Sequence, residues 1–288
     1  MDLQPLTGRD AATVLPGPSA ANARPALRPK PGATAAWILI LLALIVAAGL
    51  YVPGGWNLVV ISAALVAVMV VLGRAIVDRP MGVLINEQNI MSLSRFQMAV
   101  WTIVVIASYF SYALLRIKAV GFAAIDPTNK FDPLDITIDP HLLLLMGMSA
   151  TSFVASPLIL GTKKDKEPDT AVTAKTAQVS GDSQAEVEDN RQGTLYANTG
   201  IADARLTDLF QGDELGNTMH IDMAKVQMFF FTVISALAYL ILVYRNLKAP
   251  AQDLGNLPVL SDGVVYALGI SHAGYLASKG IDHTPVQQ

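Results

Sequence analysis

The sequence predicts an all-α membrane protein with six transmembrane helices, arranged as a leading hairpin and two parallel-repeat helix hairpins. Hydrophobic residues make up 52% of the chain and charged residues only 15%, whereas soluble domains carry roughly 25% charged residues. Several charge-free stretches reach the roughly 20 residues that a helix needs to cross a bilayer. Two blocks of sequence also recur in the same order in the second part of the chain.

The leading hairpin is predicted over 36–80. Residues 36–52 and 58–73 contain no charged residue, and the connector YVPGGWN between them is also uncharged. A cleaved signal peptide is disfavoured, because the polar stretch before the first segment exceeds the usual ~15–30 residues and a second apolar segment follows at once. Residues 1–35 are rich in Pro and Ala and predict a disordered cytoplasmic tail.

Three further spans are predicted over 96–115, 142–160 and 226–244, which are charge-free and of spanning length. A sixth candidate, GVVYALGISHAGYLASK over 263–279, is weaker because it holds three glycines, two serines and a histidine. Hydropathy alone leaves it open as a span, a re-entrant segment or a surface helix. The internal repeat favours a span.

The repeat consists of two sequence blocks. Six residues align without gaps onto six others: Arg95, Gln97, Met98, Trp101, Thr102 and Tyr109 onto Lys225, Gln227, Met228, Phe231, Thr232 and Tyr239. GMSATSFVAS over 147–156 then aligns with GISHAGYLAS over 269–278. The common order favours duplication over chance. It predicts two units, 81–161 and 204–288, each with a surface segment and two spans, separated by an acidic disordered cytoplasmic linker over 162–203.

The distribution of basic residues predicts the orientation. With the N-terminus inside, the cytoplasmic segments carry 15 of the 20 Lys and Arg residues, as the positive-inside rule requires. Both termini are therefore expected in the cytoplasm. Arg95 and Lys225 open their spans and are expected to snorkel to the headgroups, and KKDK at 163–166 is expected to contact anionic lipids.

A set of polar side chains lies within the predicted spans. Neutral residues on a repeated helix face are typical of interhelical hydrogen bonds, and pore lining is the alternative. His272 is an ionisable candidate for proton transfer, but a neutral histidine bonded to a neighbouring helix is favoured. These positions are Gln97, Thr102, Tyr109, Gln227, Thr232, Tyr239 and His272.

Small residues recur every four positions in the second block. Such spacing lets membrane helices approach closely, so it predicts helix packing rather than a ligand site. These positions are Gly147, Thr151, Ala155, Gly269, Ala273 and Ala277.

The segment 204–222 is expected to contain a short surface helix capped by Thr207 or Asp208, with Leu206, Leu209 and Phe210 facing lipid or the helices. Its charged residues match no metal-ligand spacing and are interpreted as solvated loop charges. These are Asp213, Glu214, His220 and Asp222.

The combination of DLFxGDE, KVQMFFFT and LGISHAGYLASK resembles motifs of a family of bacterial multi-pass inner-membrane proteins with no activity attached to it. The resemblance covers residues 82–279 outside the linker. It implies placement in a bacterial inner (plasma) membrane and brings no substrate, cofactor or catalytic residue.

The sequence favours a non-enzymatic membrane anchor, scaffold or regulatory subunit. The chain has no cysteine, no nucleotide-binding, zinc-protease or GxSxG motif, and no acid within a predicted span, which disfavours an ion-coupled transporter. The alternative is a small oligomeric channel lined by the repeated Thr/Ser/Tyr stripe. The expected partners are the lipid bilayer, a second copy of the chain, and a cytoplasmic protein bound through the tail or linker. No cofactor and no nucleic acid is expected.

Overall fold

The structure, a computed structural model, describes residues 31–120 and 132–287 of the 288-residue chain. Within these ranges the chain is helical, and isolated bridges rather than strands join its loops. Five helices of this described part are long and apolar enough to cross a membrane. This result indicates a multi-pass membrane protein, as the composition predicts.

Helices α1 (Pro31–Tyr51) and α2 (Trp56–Val77) form the leading hairpin. The turn between them uses Gly54 at φ +56°, a conformation that glycine adopts without steric cost. Helix α1 begins inside the segment predicted as a tail, because 31–35 continue the helix. The rest of that predicted tail, 1–30, lies outside the described residues.

Two further hairpins follow, α3 (Leu93–Val120) with α4 (Pro140–Gly161), and α7 (Met223–Asn246) with α8 (Asp262–Gly280). Helix α4 packs against α3 and α8, and α7 completes the ring by packing against α8 and α3. Helices α1 and α2 pack on α3. Helix α8 falls short of the apolar character of the other five, so its role as a sixth span remains a prediction.

The helices bury one side and leave an apolar outer surface. Trp101, Tyr112 and Leu268 are among the side chains fully enclosed in the core. Trp37 on α1, by contrast, is 57% exposed, and many other large apolar residues of α1, α2, α4 and α7 also face outward. Exposed apolar side chains in such number mark a surface in contact with lipid.

The loops at one end of the helices are joined to each other. Thr137 donates its N–H to the Gly255 carbonyl at 2.9 Å and accepts from the Leu257 N–H at 3.0 Å. The Asp139 carboxylate accepts from the Leu260 N–H at 3.2 Å. These bonds connect the loop of hairpin α3–α4 to the loop of hairpin α7–α8.

The opposite end carries a folded layer, which we call the cap and define as residues 162–222 together with 281–287. It contains α5 (Thr170–Ser180), capped by the Asp169 carboxylate, and α6 (Gln184–Asn190), which begins with a capping box of Ser183 and Glu186. Thr173, Thr176, Ala177 and Val187 are buried there.

The prediction of a disordered linker over 162–203 is therefore wrong. Its packing relies on small threonine and alanine side chains of α5, with Ala177 and Val187 clustering against Leu215. Few of the buried residues within 162–203 are large and apolar, so no apolar periodicity identifies this folded segment in the sequence.

The segments before α3 and α7 also belong to this end of the molecule. Leu206–Leu209 forms a 3₁₀ turn, in which Asp208 accepts from the Arg205 N–H, and Leu209 is buried while Leu206 is exposed. Asp208 also accepts from the Met91 N–H at 3.1 Å, which ties the two segments together. The expected short surface helix is thus a single tight turn.

A candidate site where the cap meets the helices

A buried group of charges connects the cap to α7 and α8. The Asp213 carboxylate accepts from Lys225 Nζ at 2.9 Å through Oδ1 and from Lys279 Nζ at 2.5 Å through Oδ2. Lys225 lies in the first turn of α7, and Lys279 lies in the last turn of α8. Both ammonium groups are almost fully buried. One carboxylate of the cap therefore holds the ends of two helices.

The neighbouring residue, Glu214, makes a second connection. Its Oε1 accepts from Lys163 Nζ at 2.5 Å, just beyond the end of α4, and both side chains are buried. Glu214 also accepts from the backbone N–H groups of His283 and Thr284, at 3.0–3.1 Å. Lys163 completes its bonding with the Ile281 carbonyl at 2.6 Å. Glu214 thus joins α4 to the C-terminal segment.

The electrostatics of Asp213 follow from its surroundings. Burial raises the pKa of this carboxyl, but the ammonium groups of Lys225 and Lys279 outweigh burial and hold the pKa well below its usual value. The carboxylate is therefore ionised at every physiological pH. A buried ion group of this kind is strongly destabilised when one partner is removed, because the other charge then lacks compensation.

The local backbone allows this close arrangement. The turn after Glu214 is closed by a bond from the Thr218 N–H to the Glu214 carbonyl at 2.7 Å. A Cβ atom at Gly216 would lie 2.1 Å from the His283 carbonyl oxygen. Glycine is required there because the C-terminal segment passes directly against the turn.

Several interpretations of charged residues are corrected here. Lys225 does not snorkel to headgroups and Lys163 does not contact anionic lipids, because each pairs with a cap carboxylate. Asp213 and Glu214 are not solvated, because those lysines cover them. Asp222 caps α7 by accepting from the Ala224 N–H at 2.9 Å. A sequence signal for this cluster does exist. Three lysines lie at the ends of predicted spans, and two adjacent acids, Asp213 and Glu214, are predicted on the same side of the membrane.

No metal centre emerges from these acids. Within 31–120 and 132–287, no group of three or more His, Asp and Glu residues is suitably placed to hold a metal ion. The side chain of His220 is exposed, as expected of a solvated loop residue.

Only some of the polar side chains predicted to share a repeated helix face contact each other in the core. Gln97 of α3 donates its Nε2–H to Thr232 Oγ1 of α7 at 2.7 Å, and both residues are buried. Tyr239 is also buried, while Thr102 and Tyr109 are half-buried. Gln227, aligned with Gln97 in the sequence, is exposed. The two related helices therefore present different faces to the core.

Helices α4 and α8 meet along a line of hydroxyl and imidazole groups. Ser152 Oγ lies 2.7 Å from His272 Nδ1, and Ser156 Oγ lies 3.5 Å from the Tyr275 hydroxyl. His272 is buried. The favoured interpretation of His272, a histidine bonded to a neighbouring helix, agrees with this geometry.

The small residues that were predicted to pack helices together do not form the contact between α4 and α8. A Cβ atom at Gly147 would meet nothing within 4 Å, and Thr151, Ala273 and Ala277 are exposed. Gly269 approaches only the end of Met148, and Ala155 is half-buried. Adjacent serines occupy the interface instead, about 100° around the helix from the predicted face. A four-residue spacing places small residues on one face of a helix, but it does not show whether that face packs against a neighbouring helix.

A cavity of about 380 Å³ lies between the cap, the start of α3 and the last turns of α4. Its polar wall includes Glu87, Ser92, Ser94, Arg95 and Lys164. Its apolar wall includes Phe153, Val154, Pro157, Leu158 and Leu160. The guanidinium of Arg95 stands over the Phe153 ring, 5.7 Å from the ring centroid. The sequence did not predict this cavity, because its walls come from three separate segments.

Comparison of the chain with protein-family models, curated proteins and solved structures found no match.

Proposed function

We propose that this protein is a non-enzymatic membrane anchor or scaffold that presents the cap to soluble partners. The observation that carries the proposal is the buried ion cluster, in which Asp213 and Glu214 bind Lys225, Lys279 and Lys163. Asp213 attaches the cap to α7 and α8, and the pair of Glu214 with Lys163 fixes the part of the cap that directly follows α4. A protein surface held in this way has a fixed position relative to the bilayer, which is what a docking platform requires.

We place the cap in the cytoplasm of a bacterial cell, with both termini on the same side of the inner membrane. The basis is the bias of 15 of 20 Lys and Arg residues toward that side. We also propose that the two hairpins arose by duplication. In support, α3 and α7 begin at aligned residues, Leu93 and Met223, as do α4 and α8 at Pro140 and Asp262.

The alternative, an oligomeric channel lined by the Thr/Ser/Tyr stripe, is less well supported. Thr232 bonds to Gln97 inside the helix ring, and Tyr239 is enclosed there as well. Side chains used for packing within one copy are not available to line a shared pore.

Ion flux into liposomes containing the purified protein separates the two functions. A scaffold is expected to leave the liposomes sealed. Flux that disappears in the Thr102→Leu/Thr232→Leu variant, while a Gln227→Leu control still conducts, would establish a channel instead.

Orientation is tested by single cysteines, since the chain has none of its own. Val179 in the cap and Val259 at the other end are 58% and 69% exposed. A membrane-impermeant maleimide added to intact cells is expected to label Val259→Cys and to reach Val179→Cys only after lysis. The reverse pattern would invert the topology.

Partner binding is tested by a photo-crosslinking amino acid at the same two positions. The scaffold role predicts a discrete adduct from position 179 that is missing from position 259. It also predicts loss of that adduct when Asp213→Asn loosens the cap. Equal adducts from both positions, or none from the cap, would reject the scaffold role.

A further inference from the structure

We propose that the cavity between the cap, α3 and α4 binds one anionic phospholipid from the leaflet on the cap side. The phosphate would lie between Arg95 and Lys164, and an acyl chain would follow the outer surface of α4. This proposal rests on the membrane placement given above and is independent of the scaffold role.

The first support is the state of Arg95. Its guanidinium contacts the Phe153 ring, and no carboxylate among the described residues pairs with it. The residue is half-buried, lies in the first turn of α3 and lines the cavity. An arginine that stands over an aromatic ring and lines a cavity is a suitable donor for phosphate oxygens.

The second support is the charge around the cavity. Arg95 and Lys164 contribute two positive charges and Glu87 one negative charge among the lining residues. Glu87 meets Lys164 only at 3.5 Å, and both side chains are substantially exposed. The start of α3 adds the positive end of a 28-residue helix, with Ser92 and Ser94 beside it. The cavity therefore favours a ligand with net negative charge.

The third support is the apolar side of the cavity, which identifies the ligand as a lipid. Val154 and Leu158 line the cavity and are also 56% and 68% exposed on the outer face of α4. The cavity wall is thus continuous with the lipid-facing surface of a predicted span. A soluble phosphate would use the basic groups and leave this surface uncovered, whereas an acyl chain would cover it.

The test uses the purified full-length chain, delipidated in detergent and titrated with lipid by native mass spectrometry. Phosphatidylglycerol is compared with phosphatidylcholine of the same acyl chains. We expect phosphatidylglycerol to bind about tenfold more tightly, with about tenfold loss in Arg95→Gln, because a charge-assisted hydrogen bond is removed. Arg95→Lys should recover part of the loss. Lys164→Gln should lose a few-fold, because that ammonium is partly solvated.

Matched controls separate the cavity from general surface charge. Arg74 lies in the last turn of α2 at the same end of the molecule, is exposed and does not line the cavity. Arg74→Gln should therefore bind phosphatidylglycerol as the parent does. Leu158→Gln, which alters the lipid-facing side only, should weaken lipid binding and is expected to fold because the residue is exposed.

Three results would overturn the proposal. Equal loss in Arg74→Gln and Arg95→Gln would show nonspecific attraction to the membrane surface. Displacement of the lipid by inorganic phosphate or glycerol phosphate at equal concentration would show a site for a soluble anion. Equal binding of phosphatidylethanolamine and phosphatidylglycerol would remove the preference for a net negative headgroup. None of these results depends on whether a soluble partner binds the cap.

Discussion

Hairpins α3–α4 and α7–α8 differ in how the cation at the cap-side start of their first helix is neutralised. Arg95 of α3 and Lys225 of α7 occupy aligned positions in the sequence. Lys225 is buried and neutralised by Asp213 from the chain itself. Arg95 lies on the wall of a cavity over the ring of Phe153, and no carboxylate among the described residues pairs with it. The difference is the acid, because the segment before α7 contains the GDE sequence and the segment before α3, GVLINEQNIMSLSR, has no acid at the aligned place.

This comparison separates two roles for a cation at the end of a membrane helix. Where the chain supplies an anion, the cation fixes a folded layer to the helix. Where the chain supplies none, the cation remains available to an anion from outside, and the proposed lipid takes the place of the missing carboxylate. The cation of hairpin α7–α8 is neutralised by the protein itself, whereas the cation of hairpin α3–α4 is available to the proposed lipid headgroup.

The largest expected effect comes from Asp213→Asn. The change leaves Lys225 and Lys279 buried without a carboxylate, so the free energy of unfolding should fall by about 3–5 kcal/mol. Thermal unfolding in detergent measures the loss, and limited proteolysis should show earlier cleavage within the cap. Glu87→Gln is the control, since its exposed pair with Lys164 contributes less than about 1 kcal/mol. Equal effects of the two changes would contradict a special role for the buried cluster.

A smaller effect on stability is expected from substituting the aligned cations, Lys225 and Arg95. Lys225→Gln leaves Asp213 with one ammonium group and should cost about 1.5–3 kcal/mol of stability, the usual range for a hydrogen bond to a charged group. Arg95→Gln breaks no ion pair among the described residues and removes only a contact with the Phe153 ring, so it should cost less than about 1 kcal/mol in lipid-free detergent. Added phosphatidylglycerol should stabilise the parent and Lys225→Gln more than Arg95→Gln. Parallel unfolding of both variants with and without lipid provides the measurement.

Substitutions of the aligned glutamines, Gln97 and Gln227, should change the stability by a still smaller amount. Gln97→Leu removes a bond to Thr232 and should destabilise the protein by about 0.6 kcal/mol, the average for a hydrogen bond between membrane helices. Gln227→Leu should have almost no effect, because Gln227 is exposed. Chemical unfolding of the two variants in the same detergent tests the difference. A reversed order would mean that α7 is rotated relative to the face described here.

The smallest effect concerns pH. The pKa of Asp213 is lowered in the folded protein, so its stabilising contribution is complete above the unfolded value of about 3.9 and is lost as pH falls through the folded pKa. The difference in melting temperature between the parent and Asp213→Asn should therefore stay constant from pH 5 to 8. It should narrow only below about pH 4. Narrowing near neutral pH would show that the carboxylate is protonated in the native state.

The sequence predicted the membrane helices well because spanning length and the absence of charge are local properties. Helices α1, α2, α3, α4 and α7 follow from charge-free apolar runs of spanning length. The position of α8 was recovered from the alignment of GISHAG with GMSATS rather than from its own composition.

The candidate site was harder to predict because its contacts join distant residues. Asp213 and Lys279 are 66 positions apart, and Lys163 and Glu214 are 51 apart. No periodicity encodes such pairs. In the same way, the four-residue spacing of Gly147, Thr151 and Ala155 identified a stripe on α4, but not that Ser152 and Ser156 would face α8 instead.

The joined loops at the far end restrict how the molecule can move. A carrier that opens alternately to each side of a membrane must separate its halves first at one face and then at the other. Here Thr137 and Asp139 tie the hairpins at one face, and at the other face Lys163, which follows α4, binds Glu214 and the carbonyl of Ile281, which follows α8. A rocking cycle would have to break the bonds at each face in turn, and these bonds therefore add to the free-energy cost of such a motion.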